Sequence, residues 1–313
     1  DVDRLVWDVG HQCYVHKILT GRKKEFQTLR QYKGLSGFPN KKESIYDPFT
    51  TGHSGDAIST ALGLACGYKI QGRQRKVVAV VGDGGMGPGM SFEALNHAGD
   101  LKRNMLVVLN DNKWAISKTI GAFSKYLNKI RTDPIYNDLK KEIRNALNVF
   151  PFFGKSVEGV LEQIIDKLKH ATLTGQIFVD LGFEYFGPID GHDVKALIEI
   201  LNDIKNVEGP KLLHVVTCKG KGFRPASSNP IQYHSAGNFE FANGEIVEKK
   251  KSLKKPSYTD VFSDAVIELA KVNSKIVAIT AAMPDGTGLA KYGEAFPDRY
   301  FDVGICEQHA VGL

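Results

Sequence analysis

Val81-Gly82-Asp83-Gly84-Gly85 places one carboxylate among glycines at the end of an apolar run. Glycine lets the backbone approach an anionic ligand closely, and a carboxylate oxygen is a hard ligand for a divalent cation. Leu109-Asn110-Asp111-Asn112 closes the next apolar run with a second cluster of side-chain oxygens. If the two runs are neighbouring strands, Asp83 and Asn112 can grip one Mg²⁺, and that ion can hold a diphosphate. A lone Gly-Asp-Gly is weak evidence, because turns of glycine and aspartate are common. Two such runs, each closing a buried strand, are far more specific.

The elements that must position these residues follow from the hydrophobic pattern. Val77 to Val81 and Met105 to Leu109 are continuous apolar runs, with a helix pattern from Met90 to Ala98 between them. That order predicts strand, crossover helix, parallel strand. Ala57 to Ile70 predicts a helix of small residues, and Leu212 to Val216 a third strand. Asp193 to Ile204 predicts a helix with Ala196, Leu197, Ile200 and Leu201 on one face. The fold class is therefore α/β, a parallel sheet flanked by helices on both faces. Ligands of such sheets sit outside the carboxyl ends of the strands.

Residues 117–172 carry no clean strand pattern and predict helices or a mobile excursion. Residues 236–256 predict a linker that ends in the lysine-rich run 249–255. Its lysines lack interleaved aromatics, so a solvated crossing is favoured over a platform for nucleic-acid bases. Ser257 predicts the cap of a helix reaching Val272, with Val261, Ala265, Ile267 and Leu269 for its buried side. Ile276 to Ile279 predicts the first strand of a second unit.

The chain has 313 residues, 42% hydrophobic and 24% charged, with a net charge of +6. These values fit about two globular domains and exclude a disordered or collagen-like chain. No apolar run reaches the roughly 18 residues of a membrane span. The small positive excess suits phosphorylated substrates and requires no nucleic acid. Cys13, Cys66, Cys218 and Cys306 show no Cys-x-x-Cys spacing, which predicts four reduced thiols rather than a zinc or redox site.

The chain resembles the 1-deoxy-D-xylulose-5-phosphate synthase family of transketolase-like thiamine diphosphate enzymes. The resemblance is carried by Trp7-Asp8-Val9-Gly10-His11-Gln12, His16 to Arg22, Gly52-His53-Ser54 and the two oxygen-rich runs. Phe92 to Asp100, Gly187 to Asp193, Phe296 to Val303 and Glu307-Gln308-His309-Ala310-Val311 extend it over essentially the whole chain. It implies a diphosphate-binding domain over 1–235, a linker over 236–256 and the start of a pyrimidine-binding domain over 257–313.

The resemblance also implies roles. Asp83, Asn112 and the backbone carbonyl of Trp114 would be the Mg²⁺ ligands. Gly84 and Gly85 would offer backbone groups to thiamine diphosphate, and Lys219 would neutralise its charge. Ile116 would press on the cofactor, with Gly52, His53 and Ser54 beside it. Phe223 stands where the family commonly has Tyr. Glu307 would hydrogen-bond the aminopyrimidine ring. The alternation of Phe301, Val303 and Ile305 predicts a strand leading Glu307 into a partly apolar site. His11 and His234 would handle protons or hold the carboxylate of pyruvate. His16, His97, His192 and His309 are assigned to packing or capping, and His170 and His214 receive no role.

Two runs depart from the family. Gly55-Asp56 replaces small hydroxyl residues, and Gly85-Met86-Gly87-Pro88 replaces a run of Ala, an apolar residue and Thr. Asp56 adds negative charge close to the expected diphosphate and predicts weaker cofactor affinity. The implied activity joins pyruvate to D-glyceraldehyde 3-phosphate, in a homodimer, with no nucleic-acid or membrane partner. Bacterial cytoplasm and plastids are the implied locations. The absence of an initial Met and the stop at Leu313 predict a fragment that lacks the substrate-phosphate arginines and so does not turn over by itself. Another transketolase-like enzyme and a non-catalytic binding relative stay open as alternatives.

Overall fold

The computed structural model describes residues 3–114, 119–132, 175–234, 240–242, 245–247 and 255–313. Ile116, His170, residues 133–172 and most of the expected linker lie outside the described residues. The chain divides into two units, Asp1–Asp111 with Ala122–Thr217, and Asn112–Gly121 with Cys218–Leu313.

The first unit is built on five strands: β1 (Arg4–Trp7), β2 (Val77–Gly82), β3 (Met105–Asp111), β4 (Glu184–Asp190) and β5 (Pro210–Val216). Their order is β1-β2-β3-β5-β4, and every neighbouring pair is parallel. The continuous apolar runs in β2, β3 and β5 follow from burial on both faces, since successive side chains point to opposite sides. On one face, Ala79, Val81, Val107, Leu109 and Leu212 pack with buried residues of the helices Ala57–Ile70, Gly89–Leu101 and Gly121–Thr132. On the other, Leu106, Leu213 and Val215 pack with Ile204 and with Leu197 and Ile200 of the helix Val194–Ile204. The parallel, doubly covered sheet expected from the pattern is the one observed.

The two strands absent from the sequence reading are the edges. β1 has only four residues. β4 contains Gly187-Pro188, and its register shifts between Phe186 and Ile189. Glycine and proline argue against a strand in a sheet centre and are tolerated at its rim.

In the second unit, Ser257 caps the helix Tyr258–Val272. Its hydroxyl accepts from the Asp260 backbone at 3.1 Å, and Asp260 accepts from the Ser257 backbone at 2.9 Å. The buried side differs from expectation. Ser263 and Ala270 are buried, with Val266 and Ile267 against the core, whereas Val261 and Leu269 are more than half exposed. The inward stripe runs through 263, 266, 267 and 270, which is the i, i+3, i+4, i+7 spacing of one helix face. The following strand is Ala278–Thr280, two residues later than expected, and pairs in parallel with Tyr300–Asp302. Within the expected linker, Glu240–Ala242 and Glu245–Val247 form an antiparallel pair. Among the described residues no helix is long and apolar enough to cross a membrane. The four cysteines form no disulfide.

Candidate functional site

Parallel pairing sends β1 and β2 out of the sheet at the same edge. Trp7 is in register with Val80, and the Asp8 amide continues the ladder to the Val80 carbonyl at 2.9 Å. Two loops therefore leave together: Asp8-Val9-Gly10-His11 after β1, and Asp83-Gly84-Gly85 after β2. Val9 and Gly10 both lie in the left-handed region, with φ of 58° and 89°. For a β-branched residue that conformation is strained, and strain of this kind gathers at functional sites. A side chain at Gly10 would come within 2.1 Å of Pro39, so only glycine fits there. His11 and His53 are exposed, and the Val9 amide bonds the His53 carbonyl at 3.0 Å. That bond ties the two histidine-bearing loops together.

The centre of this region is Asp8, which the sequence reading passed over. It is 3% exposed. Its Oδ1 accepts from the Gly55 amide at 2.8 Å and the Ala57 amide at 3.4 Å, and its Oδ2 accepts from the Ser54 hydroxyl at 3.1 Å. A Cβ on Gly85 would lie 2.1 Å from Oδ2, so the glycine turn after β2 rests on this carboxylate. Ser91 closes the arrangement, its hydroxyl 2.6 Å from the Gly85 carbonyl and 3.4 Å from that of Gly55. Burial pushes the Asp8 carboxyl up to about 6, although the Gly55, Ala57 and Ser54 hydrogen bonds act against the rise. Its only mark in the sequence was membership of the Trp7-Asp8-Val9-Gly10-His11-Gln12 run that carries the family resemblance.

Asp83 opens a tight turn over Asp83–Met86 and is 6% exposed. Gly84 and Gly85 lie in the same turn. Gly52 and Ser54 flank His53 on the neighbouring loop. Asp56 stands at the N-terminus of the helix Ala57–Ile70 and accepts from the Thr51 hydroxyl at 3.2 Å. Burial raises its carboxyl, and the Thr51 bond and the His53 side chain oppose that rise.

β3 hands the chain to Asn112 in the second unit. The Asn112 side-chain oxygen accepts from the Trp114 amide at 2.9 Å, a tight turn helped by the left-handed Lys113. In the same unit the Lys219 ammonium is 2.8 Å from His234 Nδ1. An ammonium only donates, so Nδ1 accepts and the ring proton sits on Nε2. The Phe223 ring stacks edge-on against Tyr233 at 5.7 Å. Glu307 is exposed as the first residue of the helix Glu307–Gly312. The expected strand through Ile305 is corrected: it ends at Asp302, where the Asp302 carboxylate accepts the Gly304 amide at 2.9 Å and Gly304 turns left-handed.

His214, given no role from sequence, is fully buried inside the first unit. Its Nε2 bonds Asp111 at 3.0 Å and its Nδ1 meets the Tyr185 hydroxyl at 2.8 Å. Arg131 also pairs with Asp111. Burial would raise the Asp111 carboxyl, but His214 and Arg131 hold it below the usual carboxylate range. His16, assigned to packing, is instead part of a buried ion cluster with Asp47 at 2.8 Å.

The donors fit a hard cation and a diphosphate. Asp83 in the first unit and the Asn112 amide oxygen in the second are each hard oxygen donors of the kind Mg²⁺ prefers. Among the described residues no cluster of three His, Cys, Asp or Glu side chains offers a competing metal site. Gly84 and Gly85 keep the turn after β2 free of bulky side chains, and at Gly85 a Cβ would collide with the Asp8 carboxylate.

A parallel α/β unit with glycine turns and an acidic donor at its strand ends belongs to the class of proteins that hold an anionic ligand at that edge. Residues 1–217 match the family model described as 1-deoxy-D-xylulose-5-phosphate synthase, and residues 254–313 match the transketolase pyrimidine-binding domain. The chain is 51% identical over 311 residues to the 1-deoxy-D-xylulose-5-phosphate synthase of Desulforudis audaxviator, covering 99% of this chain and 48% of that one. It is 52% identical over 309 residues to that of Lachnoclostridium phytofermentans, covering 99% and 49%. A transketolase structure from Campylobacter jejuni aligns with TM-score 0.49 and 21% identity, over 72% of this chain and 30% of that one. The chain belongs to the 1-deoxy-D-xylulose-5-phosphate synthase family. It spans about half the length of the curated relatives it matches.

Proposed function

We propose that the parent protein condenses pyruvate with D-glyceraldehyde 3-phosphate, with loss of CO₂, to give 1-deoxy-D-xylulose 5-phosphate. The observation that carries this is the roughly 50% identity to bacterial 1-deoxy-D-xylulose-5-phosphate synthases across essentially the whole chain. The site supports it chemically. Thiamine diphosphate, when bound, supplies the nucleophilic carbon and the electron sink that decarboxylation needs. Residues of this chain supply part of the remainder. Asp83, Asn112 and the Trp114 carbonyl would hold Mg²⁺, and the backbone at Gly84 and Gly85 would receive the diphosphate. Lys219 adds positive charge. Glu307 holds a proton against a ring nitrogen of the cofactor. His234, with its proton on Nε2, acts as a hydrogen-bond donor to a carboxylate or carbonyl oxygen of the keto acid. Gly52, His53, Ser54, Ile116 and Phe223 border the cofactor, and His11 handles protons beside it.

The domain organisation belongs to the same proposal: a diphosphate-binding domain over 1–235, a linker over 236–256 and a pyrimidine-binding domain from 257. So do the homodimer and a bacterial cytoplasmic location, which the bacterial origin of the relatives favours over a plastid. The product is a precursor for isoprenoids and for thiamine.

Calorimetric titration of thiamine diphosphate with Mg²⁺ into the full-length parent tests the proposal. Micromolar binding is expected, with at least a hundredfold loss in Asp83→Ala, since removing a charged metal ligand costs about 3 kcal/mol. Product analysis with pyruvate and the triose phosphate then distinguishes this activity from that of transketolase. A parent that binds no thiamine diphosphate would overturn the proposal and leave a non-catalytic relative.

A further inference from the structure

Asp8 is a buried carboxylate whose polar partners come from one loop and whose far side supports another. Ser54, Gly55 and Ala57 donate to it, and Gly85 rests against its Oδ2. Taking a carboxylate out of water is costly, and where packing alone matters an apolar side chain of similar size does as well or better. What a carboxylate adds here is the capacity to accept three hydrogen bonds at fixed angles from two atoms. The loop it organises carries His53 and Ser54, and the turn it supports carries Gly84 and Gly85. We propose that Asp8 is a positioning residue of the cofactor site: it clamps the 53–57 loop to the glycine turn after β2 and so sets the backbone groups offered to the diphosphate. This rests on the reading of that turn as a diphosphate cradle.

Two features sharpen the assignment. Ser54 spends its one hydroxyl proton on Asp8, so it presents lone pairs, not a donor, to whatever lies beyond. Gly85 cannot carry a side chain without displacing the Asp8 carboxylate, so the carboxylate in this place requires glycine at 85. An asparagine at position 8 preserves the clamp. Its carbonyl oxygen takes the two backbone amides, and its NH₂ donates to Ser54, whose hydroxyl can turn to accept. An alanine removes the clamp.

The test uses the full-length parent with Asp8→Asn and Asp8→Ala. Hydrogen exchange of the cofactor-free protein is followed by mass spectrometry over 53–57, 84–87 and β3. Thiamine diphosphate with Mg²⁺ is titrated calorimetrically in parallel. Asp8→Ala is expected to speed exchange in both loop segments about tenfold, leave β3 protected and raise the Kd about tenfold or more, the scale of one to two lost charged hydrogen bonds. Asp8→Asn is expected to stay within about threefold of wild type in both readouts. A folded Asp8→Ala with both loops still protected overturns the proposal. So does a loss of affinity that Asp8→Asn shares in full, because charge and not geometry would then be responsible. Should Asp8→Ala fail to fold, Ser54→Ala removes one tie: faster exchange over 53–57 supports the clamp and unchanged exchange refutes it. If wild type binds no thiamine diphosphate, the proposed function fails, while the exchange comparison still decides the role of Asp8.

Discussion

At Asp56 a single charge bears directly on the proposed diphosphate site. It occupies the N-terminus of the helix Ala57–Ile70, the end of a helix that favours negative charge. Its carboxylate makes no cap bond to that helix end and instead accepts from the Thr51 hydroxyl, next to Gly55, which Asp8 holds. A bound diphosphate must then share the region with a fixed anion. Asp56→Ser is expected to tighten thiamine diphosphate binding about two- to fivefold, the ~0.4–1 kcal/mol typical of one charge at a helix terminus. Titration of wild type and variant at low and high salt checks this. The gain should shrink with salt, and an unchanged or weaker affinity would remove Asp56 as a modulator. The charge of Asp56 was legible in the sequence. Its place at a helix end was legible too, because the small-residue pattern begins at Ala57. Its contact with Thr51 was not.

At the scale of elements, the long excursion between β1 and the helix Ala57–Ile70 has little regular structure, yet it carries His11 and His53. It is held by a buried ion cluster. Asp47 accepts from both Arg22 terminal nitrogens at 2.6 and 3.0 Å, from His16 and from the Asn40 amide. Lys17, fully buried, reaches Glu43 at 2.6 Å. Burial alone would raise the Asp47 carboxyl, but the bonds from His16, Arg22 and Asn40 hold it well below the usual carboxylate range. Removing one member leaves an uncompensated buried charge. Asp47→Ala is therefore expected to cost about 3–5 kcal/mol, read as a fall in the urea midpoint of unfolding. A loss below about 1 kcal/mol would mean that the cluster is dispensable. The His-Lys-Ile-Leu-Thr-Gly-Arg run was visible in the sequence as a family feature. Nothing in it said that its cations turn inward to a carboxylate so far along the chain.

For the whole molecule, Asp8 and Asp47 act on stability with opposite signs. The Asp8 carboxyl titrates near 6 in the folded protein against an ordinary 3.8, so the folded state holds that proton more tightly. Its contribution weakens as pH rises from about 4 to about 6 and stays lower above that. Asp47 is shifted the other way. Its contribution is present above the ordinary carboxyl range and is lost as pH falls below it. Asp8→Asn, which cannot ionise, is expected to gain on wild type across the first window, by roughly 2 kcal/mol at pH 8 relative to pH 4. Thermal unfolding of both proteins between pH 4 and 8 tests the sign. A melting difference that stays flat across the window would show that the Asp8 proton is not linked to folding.

The sequence by itself determined the parallel α/β class, the central strands and the long helices, because burial on both faces demands continuous apolar runs and helices announce themselves by period and cap. It also determined which residue types could hold a cation and a diphosphate, since glycine turns and oxygen donors at strand ends are local signals. Tertiary structure decided the edge strands, where a short run or a Gly-Pro pair hides the pattern. It decided which face of the helix Tyr258–Val272 turns inward, because two apolar stripes were available and only one met the core. It also decided the roles of Asp8, Asp47, Asp111 and His214. Each is a polar residue whose partners lie far along the chain, and hydrogen bonds between distant segments leave no periodic mark on either of them.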